Sequence, residues 1–450
     1  MQGFYYERCR ERKKVEVMNQ EERRSEAVAE EILEDAEEGG MESYMRRAIE
    51  LAKKGAGWCN PNPKVGAVIV KDGRIIGEGY HARYGQLHAE RNAIASLTES
   101  AEGATMYVTL EPCCHYGQTP PCTDAIIEAG IRKVVIGSSD PNPLVSGKGA
   151  EILRQAGISV ITDFLDEECD ALNPFFFHYI TEKRPYVIMK YAMTADGKIA
   201  TKAGLSRWVS GPDARHYVHE LRNDCMAIMV GIGTALADDP MLNCRLADGH
   251  QPIRIICDSK LRLPLDSQLV RTAEDYENDT YVIAALPTLP KGEIRCAKHD
   301  GYLLEDDSVL PIEMSKLKRE GSVTLAKKIR ALNERSVKVF NFPDTDGRVH
   351  LPMLMAELGK REIDSVLLEG GATLNEDALR TGIVDRVEIF LAPKVFGGRA
   401  KTPVEGFGIE YPKDAYALRF VDMELLGDDI HITCDIDHLH PEEEEEEEEE

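Results

Sequence analysis

At 450 residues, 43% of them hydrophobic, the chain is long enough for two or three domains with buried cores. Its formal charge of −25 argues against polyanion binding as the main task, and no stretch approaches the ~18 uncharged apolar residues that span a bilayer. Eleven cysteines without a regular framework, behind a charged rather than signal-like N-terminus, lead us to expect a cytoplasmic protein with reduced thiols.

The ends carry much of the charge. Residues 1–40 hold 12 acidic and 7 basic side chains, and Glu442–Glu450 add nine acids, which leaves −11 for the rest. Both ends read as solvating appendages: a charged extension over 1–40 and a disordered acidic tail over 438–450.

From Met41 the pattern alternates helices and strands. "MESYMRRAIELAKKG" predicts a helix with Met45, Ala48, Ile49 and Ala52 on one face. "VGAVIV" and "RIIGEGY" flank the turn "KDG", a hairpin signal. "HAERNAIASL" then starts a helix whose first residues are His88 and Glu90. The strand Thr105–Leu110 delivers Cys113 into a loop, and Cys122 opens the next helix. One imidazole and two thiolates leave the fourth position of a tetrahedral zinc open for water. Glu90, beside the first of them, supplies a group to move protons, the logic of zinc nucleobase deaminases. A closed structural site, with Cys114 or His115 as fourth ligand, is the competing reading. The pattern continues through "KVVIGSSD" and "ISVITDF", so residues 41–183 read as a three-layer α/β domain.

"TEKRPYVIMKYAMTADGKIA" begins a second α/β domain, 184–437. "VSGPDARHYVHELRN" predicts a helix capped by Ser210 with Pro212 in its first turn. Strands are expected in "CMAIMVG", "PIRIICD", "TYVIAA", "SVLLEGG" and "RVEIFLAP". Residues 286–336 read as a polar, irregular excursion. The glycines after two strands, Gly231/Gly233 and Gly370/Gly371, would let backbone N–H groups approach an anion at a helix N-terminus; a plain tight turn is the bland alternative. Arg207, Arg222 and Arg245 are candidates for holding a phosphorylated substrate.

The motifs "PNPKVGAVIV", "HAERNAI", "TLEPCCHYGQTPPC", "DPNPLVSGKG", "KYAMTADGKIA", "WVSGPDARHYVHELR", "GIGTALADDPMLNCR" and "LLEGGATLNEDAL" make the chain resemble the bifunctional deaminase–reductases of riboflavin biosynthesis over about residues 41–437. The nine-residue step between the cysteines differs from the C-x-x-C of cytidine and tRNA deaminases and is typical of this family. The resemblance implies a cytidine-deaminase-like domain followed by a dihydrofolate-reductase-like domain. The first would remove the 2-amino group of 2,5-diamino-6-ribosylamino-4(3H)-pyrimidinone 5′-phosphate, and the second would reduce the ribosyl group to ribityl with NADPH. It assigns His88, Cys113 and Cys122 to Zn2+, Glu90 to proton transfer and Asn62 to the pyrimidine. It assigns Ala192, Trp208, Thr234, Asp238, Ser259, Gly371, Ala372, Thr373, Leu374, Asn375, Glu376 and Asp377 to NADPH. Ser206, Arg222, Leu242, Arg245 and Glu369 fall on its substrate positions. A homo-oligomer is expected, with neither nucleic acid nor membrane as partner. A nucleoside or tRNA deaminase with an accessory domain, a regulatory protein on an enzyme fold, and a chain with only the deaminase half active are the rival readings.

Overall fold

The computed structural model describes residues 40–117, 120–286, 291–294 and 320–437. The extension up to residue 39, the tail from 438, and residues 287–290 and 295–319 of the excursion lie outside the described residues. The chain divides into two compact units between Pro174 and Phe175. That break falls ahead of the joint read at Lys183–Arg184, and packing explains why. In the helix Pro174–Glu182, Phe175 packs against Tyr186, Ile188, Cys225 and Leu367, and the Tyr179 hydroxyl donates to the Gly359 carbonyl at 3.1 Å. Phe175 and Tyr179 thus find their partners in the second unit.

The first unit is a five-stranded sheet in the order β2-β1-β3-β4-β5, with β1 Gly66–Lys71, β2 Arg74–Tyr80, β3 Thr105–Leu110, β4 Lys133–Ser138 and β5 Ser159–Ile161. The first three strands are antiparallel neighbours, and β3, β4 and β5 run parallel. Strand alternation splits β1 between two layers. Val68 and Val70 join Met45, Ala48, Ile49 and Ala52 of the helix Met41–Lys53 in one core. On the other face, Gly79 is paired with Ala67, and a Cβ at Gly79 would lie 2.2 Å from the Ala93 backbone nitrogen. The helix Ala89–Ala95 can therefore lie directly on β2 only because residue 79 has no side chain. This close contact fixes the height of His88 and Glu90 above the sheet.

The second unit is a ten-stranded sheet, β10-β11-β9-β8-β7-β12-β6-β13-β15-β14. Its strands are β6 Tyr186–Thr194, β7 Ala227–Gly231, β8 Ile253–Cys257, β9 Thr280–Ala284, β10 Gly292–Ile294, β11 Val337–Asn341, β12 Ser365–Leu368, β13 Arg386–Ala392, β14 Leu418–Leu426 and β15 Asp429–Ile436. From β11 to β13 the neighbours are parallel; β10, β15 and β14 add antiparallel edges. Both faces of the parallel part are covered, as its apolar runs require. Met229, Ile255 and Ile283 pack with Leu354, Leu358 and Ala378 on one face; Ile228, Ile256 and Val282 pack with Leu269, Ile329 and Leu332 on the other.

Three local readings change. The helix Pro212–Asp224 starts from Gly211 rather than Ser210: the Gly211 N–H donates to Asp429 at 2.6 Å, and the Ser210 carbonyl accepts from Arg215. The excursion is not irregular throughout. It contains β10 and the helix Glu320–Asn333, whose Leu325, Ile329 and Leu332 keep helical spacing inside a charged stretch. Finally, β11, β14 and β15 complete a sheet that the sequence motifs cover only in part.

Candidate functional site

His88 stands at the N-cap of Ala89–Ala95, Cys113 in the loop beyond β3, and Cys122 at the first position of the helix Cys122–Glu128. The Cys122 N–H donates to the Cys113 carbonyl at 3.0 Å and lies 3.4 Å from its sulfur, so the loop closes on itself. His88 Nδ1 is then 3.5 Å from Cys113 Sγ and 3.4 Å from Cys122 Sγ. Tetrahedral zinc with a Zn–N bond of about 2.0 Å and Zn–S bonds of about 2.3 Å sets N and S about 3.5 Å apart, so the three side chains fit the metal. Among the described residues, this is the one such cluster, and it holds no fourth ligand. Cys114 turns towards the Leu144 carbonyl instead. The thiols divide a proton unequally. A hydrogen bond from Cys122 holds Cys113 down to about 4, with His88 also favouring its thiolate, while that bond and burial push Cys122 up. A dication would replace the shared proton.

Glu90 is 3% exposed, next to this set. Burial, then the charge of Cys113, push its carboxyl up to about 7. A group so placed can take up and release a proton near neutral pH.

The structure also brings in a residue that sequence reasoning missed. His81 is buried; its Nδ1 lies 3.1 Å from the Leu87 carbonyl and its Nε2 3.2 Å from Asn62 Nδ2. A carbonyl only accepts, so Nδ1 carries the proton and Nε2 accepts from the Asn62 amide. This orients Asn62, leaving its oxygen as the end with accepting capacity to spare. The ring is edge-on to His88 at 5.3 Å, so His81 stands between Asn62 and the first ligand. No periodicity marks His81, because its role depends on partners in two separate loops.

In the second unit, two adjoining cavities of about 610 and 460 Å³ share Ile199, Ser206, Thr234, Asp238, Gly371 and Ala372. They open around the ends of β7 and β12, where parallel sheets of this kind bind ligands. Ala192, Trp208, Arg222, Leu242, Arg245, Glu369 and Asn375 line the larger; Ser259, Thr373, Leu374 and Asp377 line the smaller. Glu376 lines neither, and its carboxylate is packed against Gly406. Gly370 has φ +87°, a left-handed conformation that favours glycine, whereas Gly371, at φ −75°, caps the helix Ala372–Arg380. The first N–H groups of that helix have no intrahelical acceptor, a fitting end for a cofactor phosphate.

Arg222 lines the larger cavity but spends three of its five N–H groups within the protein. Its guanidinium grips Glu369 with two bonds, 2.7 and 2.9 Å, and donates to the Asn243 carbonyl at 3.0 Å. Burial would raise the Glu369 carboxyl, but Arg222 and then Lys190 hold it down to about 2. Lys190, inside a quoted motif but not singled out in it, is a further polar group on the cavity wall. Arg207 and Arg245, both exposed, remain for an anion.

Comparison with known proteins finds one family match in each unit. Residues 185–432 match the RibD C-terminal domain, and residues 40–138 match the zinc-binding region of cytidine and deoxycytidylate deaminases. The chain is 52% identical to the riboflavin biosynthesis protein RibD of Actinobacillus pleuropneumoniae over 388 residues, 86% of this chain and 93% of the relative. With RibD of Escherichia coli strain K12 it shares 37% over 390 residues, 86% and 97% of the two chains. A crystal structure from Thermotoga maritima, described as a diaminohydroxyphosphoribosylaminopyrimidine deaminase/5-amino-6-(5-phosphoribosylamino)uracil reductase, superposes with TM-score 0.70 at 38% identity, over 88% of this chain and 98% of that one. Acinetobacter baumannii RibD gives 0.71 at 34%, with the same coverage.

The ligand set predicts that Cys113→Ser or Cys122→Ser loses the zinc, while Cys59→Ser keeps one ion per chain. Metal analysis of the purified variants checks this; full zinc in either ligand variant would remove the assignment.

Proposed function

Because this chain belongs to the RibD family of bifunctional deaminase–reductases of riboflavin biosynthesis, we propose that it performs two consecutive steps. The N-terminal unit hydrolyses the 2-amino group of 2,5-diamino-6-ribosylamino-4(3H)-pyrimidinone 5′-phosphate, and the C-terminal unit reduces the ribosyl group of the product to ribityl. The observation that supports this best is the three-ligand set with a buried carboxylate beside it, in a chain whose second unit holds a dinucleotide-sized pair of cavities.

When bound by His88, Cys113 and Cys122, zinc supplies the Lewis acidity that makes water a nucleophile near neutral pH. Glu90 takes the proton released as water adds to C2 and returns protons to the ring nitrogen and then to the departing ammonia. Asn62 holds the pyrimidine, and His81 holds Asn62. In the second unit NADPH supplies a hydride, and the protein orients the reactants. Ala192, Trp208, Thr234, Asp238, Ser259, the run Gly371–Asn375 and Asp377 form the cofactor side, with Glu376 packed behind them. Ser206, Arg222, Leu242, Arg245 and Glu369 form the substrate side, where Arg245 meets the phosphate and Glu369 keeps Arg222 in place.

The same reading extends to assembly. β14 ends the ten-stranded sheet and exposes Leu418, Phe420, Met423 and Leu425. A bulge at Val421 keeps all four on one face, opposite Ile436, Cys434, Ile432 and Ile430 of β15. Such an apolar edge calls for a partner. Antiparallel pairing of two copies can set Leu418 against Leu425, Phe420 against Met423 and Arg419 against Glu424, so the strand complements itself and a homodimer follows. Among the described residues no helix is long and apolar enough to cross a membrane. Cys113, Cys114, Cys122, Cys169, Cys244, Cys257 and Cys434 lie outside any disulfide, which supports a reducing cytoplasm, to be checked by cell fractionation.

Glu90→Gln is expected to retain zinc and fold yet lose ammonia release by several orders of magnitude, with reductase turnover on pre-deaminated substrate nearly unchanged. Full ammonia release by this variant would refute the proton-transfer role. For assembly, Phe420→Asp with Met423→Asp should convert a dimer to a monomer in sedimentation; a monomeric parent protein would dispose of the edge-strand reading.

A further inference from the structure

Arg254, on β8, is fully buried, and its hydrogen bonds go to neutral oxygens. Nε and Nη2 donate to Thr280 Oγ1 at 2.9 and 2.6 Å, Nη1 to Thr272 Oγ1 at 2.9 Å and to the Met241 carbonyl at 3.4 Å, and Nη2 to the Leu269 carbonyl at 3.3 Å. The face of the guanidinium lies 3.7 Å from the centre of the Tyr276 ring. Among the described residues no carboxylate pairs with it, and a buried cation held only by neutral groups is costly, so a cluster that keeps one needs a use for its rigid fork.

The use lies in the segment before β8. The Tyr276 hydroxyl sits among the Pro252 carbonyl at 3.1 Å, the Leu242 carbonyl at 3.4 Å and Gln251 Oε1 at 3.4 Å. The Asn243 carbonyl accepts from Arg222 Nη1. Two of three successive carbonyls, those of Met241 and Asn243, thus accept from Arg254 and Arg222, while the one between, that of Leu242, lies 3.4 Å from the Tyr276 hydroxyl, whose nearest acceptor is the Pro252 carbonyl. Between them Leu242 adopts φ +49°, which a branched side chain avoids unless its surroundings impose it. Gln268 pins Asp239 at the start of the segment, with its N–H on Oδ1 at 2.8 Å. The other side of the segment faces the larger cavity, where Leu242 and Arg245 form part of the wall.

We propose that Arg254 and Tyr276 are positioning residues of the reductase: Arg254 holds the Met241 carbonyl from behind and Tyr276 ties the Leu242 turn to Pro252, and together they set Leu242 and Arg245 against the phosphoribosyl substrate. This rests on the reductase reading above. The guanidinium–ring stack forms the rigid back of the site, and the Arg222–Glu369 pair braces the same segment from the cavity side.

The test uses the full chain with pre-deaminated substrate, measuring KM and kcat for substrate, KM for NADPH, ammonia release from the diamino substrate, and thermal melting. Tyr276→Phe keeps the ring on Arg254 and removes only the hydroxyl; Arg254→Lys keeps the charge and removes the fork; Arg245→Ala is the reference for a lost substrate contact. Each of the first two should raise the substrate KM about five- to tenfold, leave the NADPH KM within about twofold and leave ammonia release unchanged. Unchanged substrate KM in folded Tyr276→Phe, with Arg245→Ala impaired, overturns the proposal and leaves the reductase reading standing. Unchanged KM in Arg245→Ala overturns both. A parallel rise in the substrate and NADPH KM values, with a lowered melting temperature, would show a merely structural role and also overturn it.

Discussion

Two sulfurs and an imidazole nitrogen are held within 4.8 Å of one another, with a buried carboxylate next to them, and the first unit is organised around that crowding. Left to themselves these groups cannot all take their charged forms, so Cys113 is stabilised as a thiolate at the expense of Cys122. A dication removes the conflict and permits both thiolates and the carboxylate together. The scaffold enforces the geometry rather than relaxing it. The helix Ala89–Ala95 lies on a β2 glycine with no room for a β-carbon, and the turn between the cysteines is closed by its own backbone bonds.

The second unit meets a different constraint, that of keeping the few polar groups of a largely apolar cavity ordered at the end of a sheet covered on both sides. It does so with a partly buried ion pair and a fully buried donor. Arg222 and Glu369 neutralise each other at the end of β12 while bracing the 241–243 segment, and Arg254 braces that segment from the opposite side. Truncating one partner of such a pair leaves the other charged and buried, so these residues act as a set.

The metal set was legible because its information is local. H-x-E at a helix start and two cysteines flanking a short loop carry their geometry in their spacing. His81 was not legible, since its tautomer and its hold on Asn62 follow from the Leu87 carbonyl, which only the folded chain brings near. The run Gly371–Asp377 shows another limit. Seven residues on a helix turn through almost two revolutions, so they cannot all face one cavity, and Glu376 is the one that points elsewhere. Arg222 matched a substrate position, yet its chemistry is settled by Glu369, 147 residues away in sequence. The helix Glu320–Asn333 was hidden for a different reason: Leu325, Ile329 and Leu332, which enter the core, are interleaved with Lys327, Lys328 and Arg330.

The central claim is that one chain couples zinc-dependent deamination to NADPH-dependent reduction in that order. A single time course with the diamino substrate and NADPH, recording ammonia and NADPH separately, tests it most directly. Ammonia should appear before NADPH is consumed and in equal final amount. Chelating the zinc should stop both signals, while pre-deaminated substrate still consumes NADPH. NADPH consumption on the diamino substrate without ammonia, or undiminished ammonia release from zinc-free protein, would contradict the account.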